Sequence, residues 1–464
     1  MLKVFSHYFP LHILQQVIFD ALLLFVAVVL AVVLQFHGTA VDWRVVLPSA
    51  LLFAIAMIFL NGVMGLYRLP ASRMSARDTV ARVLFSVLIS VPVAFGVFET
   101  LPWNHFASEA MQVSVVLLLG LVLLLRGMVN RRRASSLFAP RVLIIGTGAD
   151  AMTVERALSH PVHRHSGLDI VGCYLPAGDD VPEGDQRHVF RPGGGLLELV
   201  RQERINEIIV AVRQRRGGVL PIRELLDCKL RGVRVIDLSS FFERVLGQVP
   251  IDSLKASWLI FGDGFRQGLA RSATKRCSDV IAAFILLLLT LPVMLVTALC
   301  ILFEDGAPIF YLQERVGFAG RVFRVIKFRS MRRDAEHDGT PRWALSQDDR
   351  ITRVGRVIRR LRIDELPQIF NVLKGDMSLV GPRPERPFFV DQLSREIPFY
   401  AVRHSVKPGV TGWAQVRYHY GSSVDDAIQK LQYDLYYVKN HSLVLDTLVL
   451  FETVRVVLTG EGAH

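Results

Sequence analysis

The sequence predicts a membrane protein of α plus α/β build, in three parts. These are a four-helix transmembrane bundle, a Rossmann-like α/β domain, and a catalytic domain with a re-entrant membrane helix and amphipathic interfacial helices. Three observations predict it. Hydrophobic residues make up 51% of the 464, and many gather into apolar runs of about 20, the length that crosses a bilayer. A buried-strand run ending in a glycine turn opens the middle of the chain. Beyond that, arginine-rich helices surround an acidic pair.

The net charge of +12 admits two kinds of partner, nucleic acid or anionic lipid and phosphate ligands. The apolar runs favour lipid and phosphate, and no nucleic acid is expected. Cys173, Cys228, Cys277 and Cys300 are scattered without a C-x-x-C pair, so neither a disulfide framework nor a zinc site is indicated.

Residues 1–135 carry spans near 17–36, 45–66, 80–98 and 111–129. Arg68, Arg73, Arg77 and Arg82 follow the second span and Arg126, Arg131, Arg132 and Arg133 the fourth, while the other two loops hold only Arg44. The positive-inside rule places both ends of the bundle in the cytoplasm. Gln16 and Asp20 are read as interfacial residues near a helix end.

Residues 136–255 read as an α/β unit. Arg141-Val142-Leu143-Ile144-Ile145 is a buried strand, and Gly146-Thr147-Gly148-Ala149-Asp150-Ala151 fits a phosphate-binding turn entering a helix. Further strands at 170–174, 207–212 and 233–236 support a doubly wound sheet. Tyr174-Leu175-Pro176 stands where a ribose-binding acid belongs, so the turn at Gly146 and Gly148 either holds a nucleotide or survives as a scaffold. His160, His163 and His165 read as surface loop beside Pro161.

The third domain, 256–464, begins with an apolar run, about 277–303, broken in its middle by Pro292. Basic residues flank both ends, Arg271, Lys275 and Arg276 before and Arg315, Arg321 and Arg324 after, which conflicts with a single crossing. The expected path enters the bilayer, bends at Pro292 and returns to the cytoplasmic side.

Thr352 to Pro384 organises the rest. Val354, Val357, Ile358 and Leu361 form one helical stripe, with Arg353, Arg356, Arg359, Arg360 and Arg362 opposite. A second helix carries Leu366, Ile369, Phe370 and Leu373, opened by Pro367 and stopped by Gly375. Asp364 and Glu365 lie at or before its start, where they act either as caps or as a nucleophile and metal ligand. Between Arg315 and Arg362 there are fourteen Lys or Arg against five Asp or Glu. That excess suits phosphate and a divalent cation held together. Trp413 and Tyr418 are expected at the membrane interface, and the apolar helix near 443–458 either packs on the domain or lies along the bilayer.

These residues carry a resemblance. The stretch around Asp364-Glu365, with Lys327-Phe328-Arg329-Ser330-Met331 upstream and Val406-Lys407-Pro408-Gly409-Val410-Thr411-Gly412-Trp413-Ala414-Gln415-Val416 downstream, resembles the bacterial polyprenyl-phosphate hexose-1-phosphate transferases, the monotopic phosphoglycosyl transferases. It spans about 270–460, and the earlier segments resemble those of the larger members. Many members place a serine before the helix-bending proline; Leu291 stands there in this chain.

The resemblance implies transfer of a sugar 1-phosphate from a UDP-sugar, UDP-glucose or UDP-galactose, to undecaprenyl phosphate through an aspartyl intermediate at Asp364. Glu365, with Asp364, is implied as ligand to Mg²⁺, and Lys327, Arg329, Arg359 and Arg383 as contacts to phosphates or nucleotide. Membrane lipid, a homodimer and downstream glycosyltransferases are the further partners expected. Two other readings stay open: a nucleotide-sugar oxidoreductase using Gly146 and Gly148, and a non-enzymatic scaffold of polysaccharide assembly.

Overall fold

The computed structural model describes residues 2–4, 7–9, 11–35, 43–63, 140–159, 168–175, 189–190, 195–212, 220–251, 268–332, 350–418 and 423–459, with scattered positions between 86 and 120. Two short paired strands, Leu2–Val4 and His7–Phe9, precede two apolar helices, α1 Leu11–Gln35 and α2 Trp43–Val63. Most of the third expected span and nearly all of the fourth lie outside the described residues, as do His160, His163 and His165. Asp20, expected near an interfacial helix end, is well inside α1 and is buried.

The α/β unit contains β1 Arg141–Ile145, α3 Ala149–Ser159, β2 Asp169–Tyr174, β3 Val189–Phe190, α4 Leu196–Gln202, β4 Glu207–Val210, α5 Ile222–Leu230, β5 Arg234–Asp237 and α6 Leu238–Val245. Its strands are parallel in the order β3-β2-β1-β4-β5, so the chain reverses direction between β1 and β4, as in doubly wound sheets. Val142 to Ile145 are fully buried because helices cover both faces. Buried Glu207 pairs with Arg244, closing the end of the sheet away from the glycine turn.

The compact units divide between Leu246 and Gly247. The second contains the 37-residue helix α7 Leu269–Asp305, then the antiparallel hairpin β6 Phe310–Val316 and β7 Val322–Phe328. There follow α8 Arg353–Arg360, α9 Gln368–Lys374, β8 Ser378–Val380, α10 Pro387–Glu396, β9 Gly409–Thr411, α11 Trp413–Arg417, α12 Val424–Asn440 and α13 Leu443–Thr459. Its core joins Val372, Met377, Val380, Trp413, Leu435, Tyr436, Leu445 and Val449, so α9, the β8–β9 pair, α12 and α13 share one hydrophobic centre.

Among the described residues, α7 is the one helix long and apolar enough to cross a membrane. The expected break at Pro292 does not interrupt it: helical residues run through the proline, which removes a single ladder donor. Both ends of α7 are fastened to the same unit. Arg276 donates to the carbonyls of Val372 and Leu373 at the end of α9, at 2.6 and 2.7 Å. Glu304 accepts from the backbone N–H of Arg353 and Val354 at 2.8 and 2.9 Å, capping α8. Between these anchors Ile281, Phe284, Leu288, Leu289, Leu295 and Val296 are exposed.

Trp413 is not interfacial. It is 1% exposed, stacks on Tyr436 and donates its indole N–H to Gly247 at 2.8 Å, so its polar edge is satisfied inside the core. Tyr418 bonds Asp426 at 2.7 Å. Of the two alternatives for the last helix, packing on the domain is the one observed: in α13, Leu445 and Val449 are buried and Asp446 pairs with Lys275 at 2.7 Å.

Candidate active site

Asp364 and Glu365 sit on a tight turn between two helices, and each side of that turn is fixed by local chemistry. Upstream, Thr352 caps α8 by accepting from Gly355 N–H at 2.8 Å. Gly355 carries no side chain because the Ser330 carbonyl of the Lys327–Met331 stretch packs directly on α8; a Cβ there would collide with it. The stripe of α8 splits: Ile358 is buried, while Val357 and Leu361 are half exposed. The helix ends at Arg360, so Arg362 is not on its polar face as expected. Arg362 instead adopts a left-handed conformation, φ 57°, which reverses the chain into the 3₁₀ turn Ile363–Glu365. Downstream, Pro367 precedes α9 and Gly375, φ 100°, terminates it.

Glu365 is the anchor. Its Oε1 accepts from Lys327 Nζ on β7 at 3.2 Å and from Arg383 Nη2 at 2.7 Å, and its Oε2 lies 3.9 Å from Arg362 Nη1. Burial would raise its pKa, but the charges of Arg383 and Lys327 and the Arg383 hydrogen bond hold it well below the usual carboxylate range. Asp364 differs. Among the described residues no donor reaches its carboxylate, and burial together with the Glu365 charge pushes it up to about 6 against the pull of Lys327, Arg359 and Arg383. Two adjacent carboxylates thus differ in state, one pinned and ionised, the other without a hydrogen-bond donor among the described residues and unusually basic.

Of the cations expected to contact phosphates, Lys327 and Arg383 meet at Glu365, and Arg359 is near enough to act on Asp364. Arg329 is placed elsewhere. It is 8% exposed and donates to the carbonyls of Asp305 and Gly306 at 3.1 and 2.6 Å while pairing with Asp305 at 3.0 Å, closing the end of α7. An alternating strand turns neighbours two apart to one face, but Arg329 lies just past the end of β7 and escapes that register.

The sequence did not single out Arg315 as a site residue, although it lies beside this group. Its Nη1 donates to Pro384 at 3.2 Å and sits 3.5 Å from Glu385. Alternation along β6 could have flagged it, since its neighbours Glu314 and Val316 point the other way.

Pro292, Val296 and Cys300 of α7 face Val354 and Ile358 of α8 and Ile363 of the turn across an apolar cavity of about 450 Å³. Ile363, which lines this cavity, directly precedes Asp364 in the chain.

Gly146, φ 112°, is required where it stands: a Cβ would lie 2.8 Å from the Ala211 carbonyl, and its N–H already donates to Tyr174 at 3.0 Å. Close strand packing therefore explains this glycine without a ligand. Gly148 has open space around it.

The donor chemistry of the acidic pair suits a hard cation. Two carboxylates stand without histidine or cysteine, and among the described residues there is no group of three or more such ligands to build a protein cage. Mg²⁺ is commonly held in this way, by one or two carboxylates, with water and substrate phosphate oxygens completing the shell.

Residues 270–460 match the family described as bacterial sugar transferase. The chain is 48% identical over 242 residues to the UDP-N-acetylgalactosamine-undecaprenyl-phosphate N-acetylgalactosaminephosphotransferase of Aeromonas hydrophila, covering 52% of this chain and 56% of that protein. It is 33% identical over 353 residues to the UDP-glucose:undecaprenyl-phosphate glucose-1-phosphate transferase of Xanthomonas campestris pv. campestris, covering 74% and 71%. The protein of the same description from Escherichia coli K12 is 40% identical over 310 residues, 64% of each chain. The matched stretch thus spans less than two thirds of the Aeromonas and Escherichia proteins.

Proposed function

This chain belongs to the bacterial sugar transferases, and from that premise we propose that it transfers a sugar 1-phosphate from a UDP-sugar to undecaprenyl phosphate, yielding undecaprenyl diphosphate-sugar and UMP. The observation that carries the proposal is the contrast between a pinned, ionised Glu365 and a basic Asp364 that no donor among the described residues holds. Asp364 attacks the phosphorus that bears the sugar, and the bond from that phosphorus to the bridging oxygen breaks, releasing UMP. The phosphate of the acceptor then attacks the aspartyl sugar-phosphate and regenerates the carboxylate. A carboxyl near 6 is largely ionised at pH 7 yet more basic than ordinary aspartate, which favours its use as a nucleophile. Arg383 and Lys327, fixed by Glu365, face the charge that develops on the diphosphate. Asp364 and Glu365 would hold Mg²⁺, which when bound neutralises diphosphate charge as the leaving group departs.

The cavity between α7 and α8 is where the first isoprene units of the acceptor would lie, since it is apolar and ends at Ile363 beside the nucleophile. Attachment of both ends of α7 to one unit supports a helix that stays with the cytoplasmic leaflet rather than crossing it, because a straight crossing would place the α9 and α8 contacts on opposite faces. A multi-pass inner-membrane protein and a homodimer complete the proposal.

The test is UMP release by the purified protein with Mg²⁺ and undecaprenyl phosphate, from a panel of UDP-glucose, UDP-galactose and UDP-N-acetylgalactosamine. Release from one donor is expected and names the sugar; no release from any donor, with folded protein, rules the reading out. The pH profile adds a second expectation. The basic form of Asp364 is the reactive one, so kcat/KM falls about tenfold per unit below about pH 6. Glu365→Gln removes a like charge that raises that carboxyl, so the acid limb of its residual activity moves to lower pH. A limb that stays in place, or moves up, contradicts the assignment.

A further inference from the structure

Resting on the transferase reading above, we propose that Arg403, paired with Asp434, is a positioning residue that sets the place of Arg383 at the acidic pair. Neither residue touches Asp364 or Glu365 in any contact the structure shows. Arg403 is 6% exposed, in the 3₁₀ turn Tyr400–Ser405, and Asp434, on α12, is 1% exposed. Arg403 is a branched clamp: Nη2 pairs with Asp434 at 2.7 Å and donates to the Arg383 carbonyl at 2.9 Å, while Nη1 donates to Tyr400 Oη at 2.6 Å. The carbonyl it holds belongs to the residue whose guanidinium reaches Glu365 at 2.7 Å.

This clamp completes a series along the strand and turn that carry Arg383. Leu379 N–H donates to Asp279 at 3.2 Å, and the Val380 carbonyl accepts from buried Tyr437 at 2.9 Å. Gly381 N–H donates to Thr411 and the Pro382 carbonyl accepts from Gly409, at 2.9 and 3.0 Å. The Arg383 carbonyl goes to Arg403 and the Pro384 carbonyl to Arg315. Six consecutive residues therefore have a backbone group tied to α7, α12, β9, the buried Arg403 or the partly buried Arg315. A buried ion pair costs desolvation and is a weak source of stability by itself. Here its bonds fall on the backbone of an arginine at the reaction centre, and a planar fork fixed on three acceptors is the side chain that holds a carbonyl in direction as well as in distance. A displacement of Arg383 of about an ångström is enough to cost catalysis of the order of a hundredfold.

The test removes both charges together, Arg403→Met with Asp434→Asn, so that no unpaired ion is left in the core. UMP release is measured for this protein, for Arg383→Met, and for the combination. If Arg403 acts through Arg383, each lowers kcat/KM by about ten- to a hundredfold and the combination lowers it no further. Losses that multiply, or an unchanged kcat/KM in the charge-free pair, overturn the proposal. Should that pair fail to fold, Arg403→Lys keeps the charge beside Asp434 but loses the fork. It is expected to fold and to show the same non-additivity, and additive losses there are equally fatal. A structure of the folded variant separates this inference from the transferase reading. If the wild type releases no UMP, the reading falls, and the inference still stands or falls on whether Arg383 leaves hydrogen-bond distance of Glu365.

Discussion

Asp364→Asn is expected to lower UMP release by at least about 10³-fold, the scale seen when a nucleophile is removed, while raising the melting temperature at neutral pH. The two effects have one cause. Burial and the Glu365 charge lift the Asp364 carboxyl from its ordinary 3.8 to about 6, so the ionised form is disfavoured in the folded protein. The sign follows from proton counting. Below about pH 4 the carboxyl is protonated in both states and contributes no difference. Between about 4 and 6 the folded protein keeps a proton that the unfolded chain has lost, so stability falls as pH rises. Above about 6 the full penalty applies, on the order of 3 kcal/mol. Asparagine avoids it. The gap in melting temperature between mutant and wild type therefore opens between about pH 4 and 6 and then stays level. Retained turnover within tenfold would remove Asp364 from the role of nucleophile, and a flat or reversed gap would show that the carboxyl is not destabilised by its site.

The second large effect is steric. Gly381→Ala is expected to destabilise the catalytic unit by about 3 kcal/mol or to prevent its folding, whereas Gly148→Ala is expected to lie within about 0.5 kcal/mol of wild type. Strands β8 and β9 run parallel, Ser378 opposite Gly409 and Val380 opposite Thr411. Gly381 continues this approach so closely that a Cβ would overlap the Lys407 carbonyl and lie 2.8 Å from Gly409 N. Both obstacles are backbone, which cannot rotate away. Around Gly148 there is nothing within 4 Å. Chemical denaturation of the two variants measures the contrast; equal losses would mean that the close approach is not what the Gly381 position requires.

Much of this was readable from the amino-acid order. The helix at Val354, the Pro367 start and Gly375 stop, and the strand runs at Arg141 and Ile170 all depend on periods and caps within a dozen residues, and these elements form where expected, although the stripe of α8 is buried only in part. The acidic pair and its cation excess are likewise local, and Lys327 and Arg383 do converge on Glu365. What the order could not supply was the partner of each polar group. Arg329 and Lys327 are two residues apart and alike in charge, yet one closes α7 and the other reaches Glu365, because Arg329 lies beyond the end of β7. Trp413 reads as an interfacial aromatic until Gly247, 166 residues away, supplies an acceptor for its indole. Arg403 and Asp434 carry no periodic signal, since their roles arise where a turn and a helix meet the Arg383 carbonyl. The sequence by itself determined the strands and helices around the acidic pair, the family resemblance and the gathering of carboxylates among cations, because these follow from residue type and short spacing. The tertiary structure alone decided which cations serve the site and which serve the scaffold, because a buried charge goes to whichever distant acceptor the packed core places within hydrogen-bonding reach.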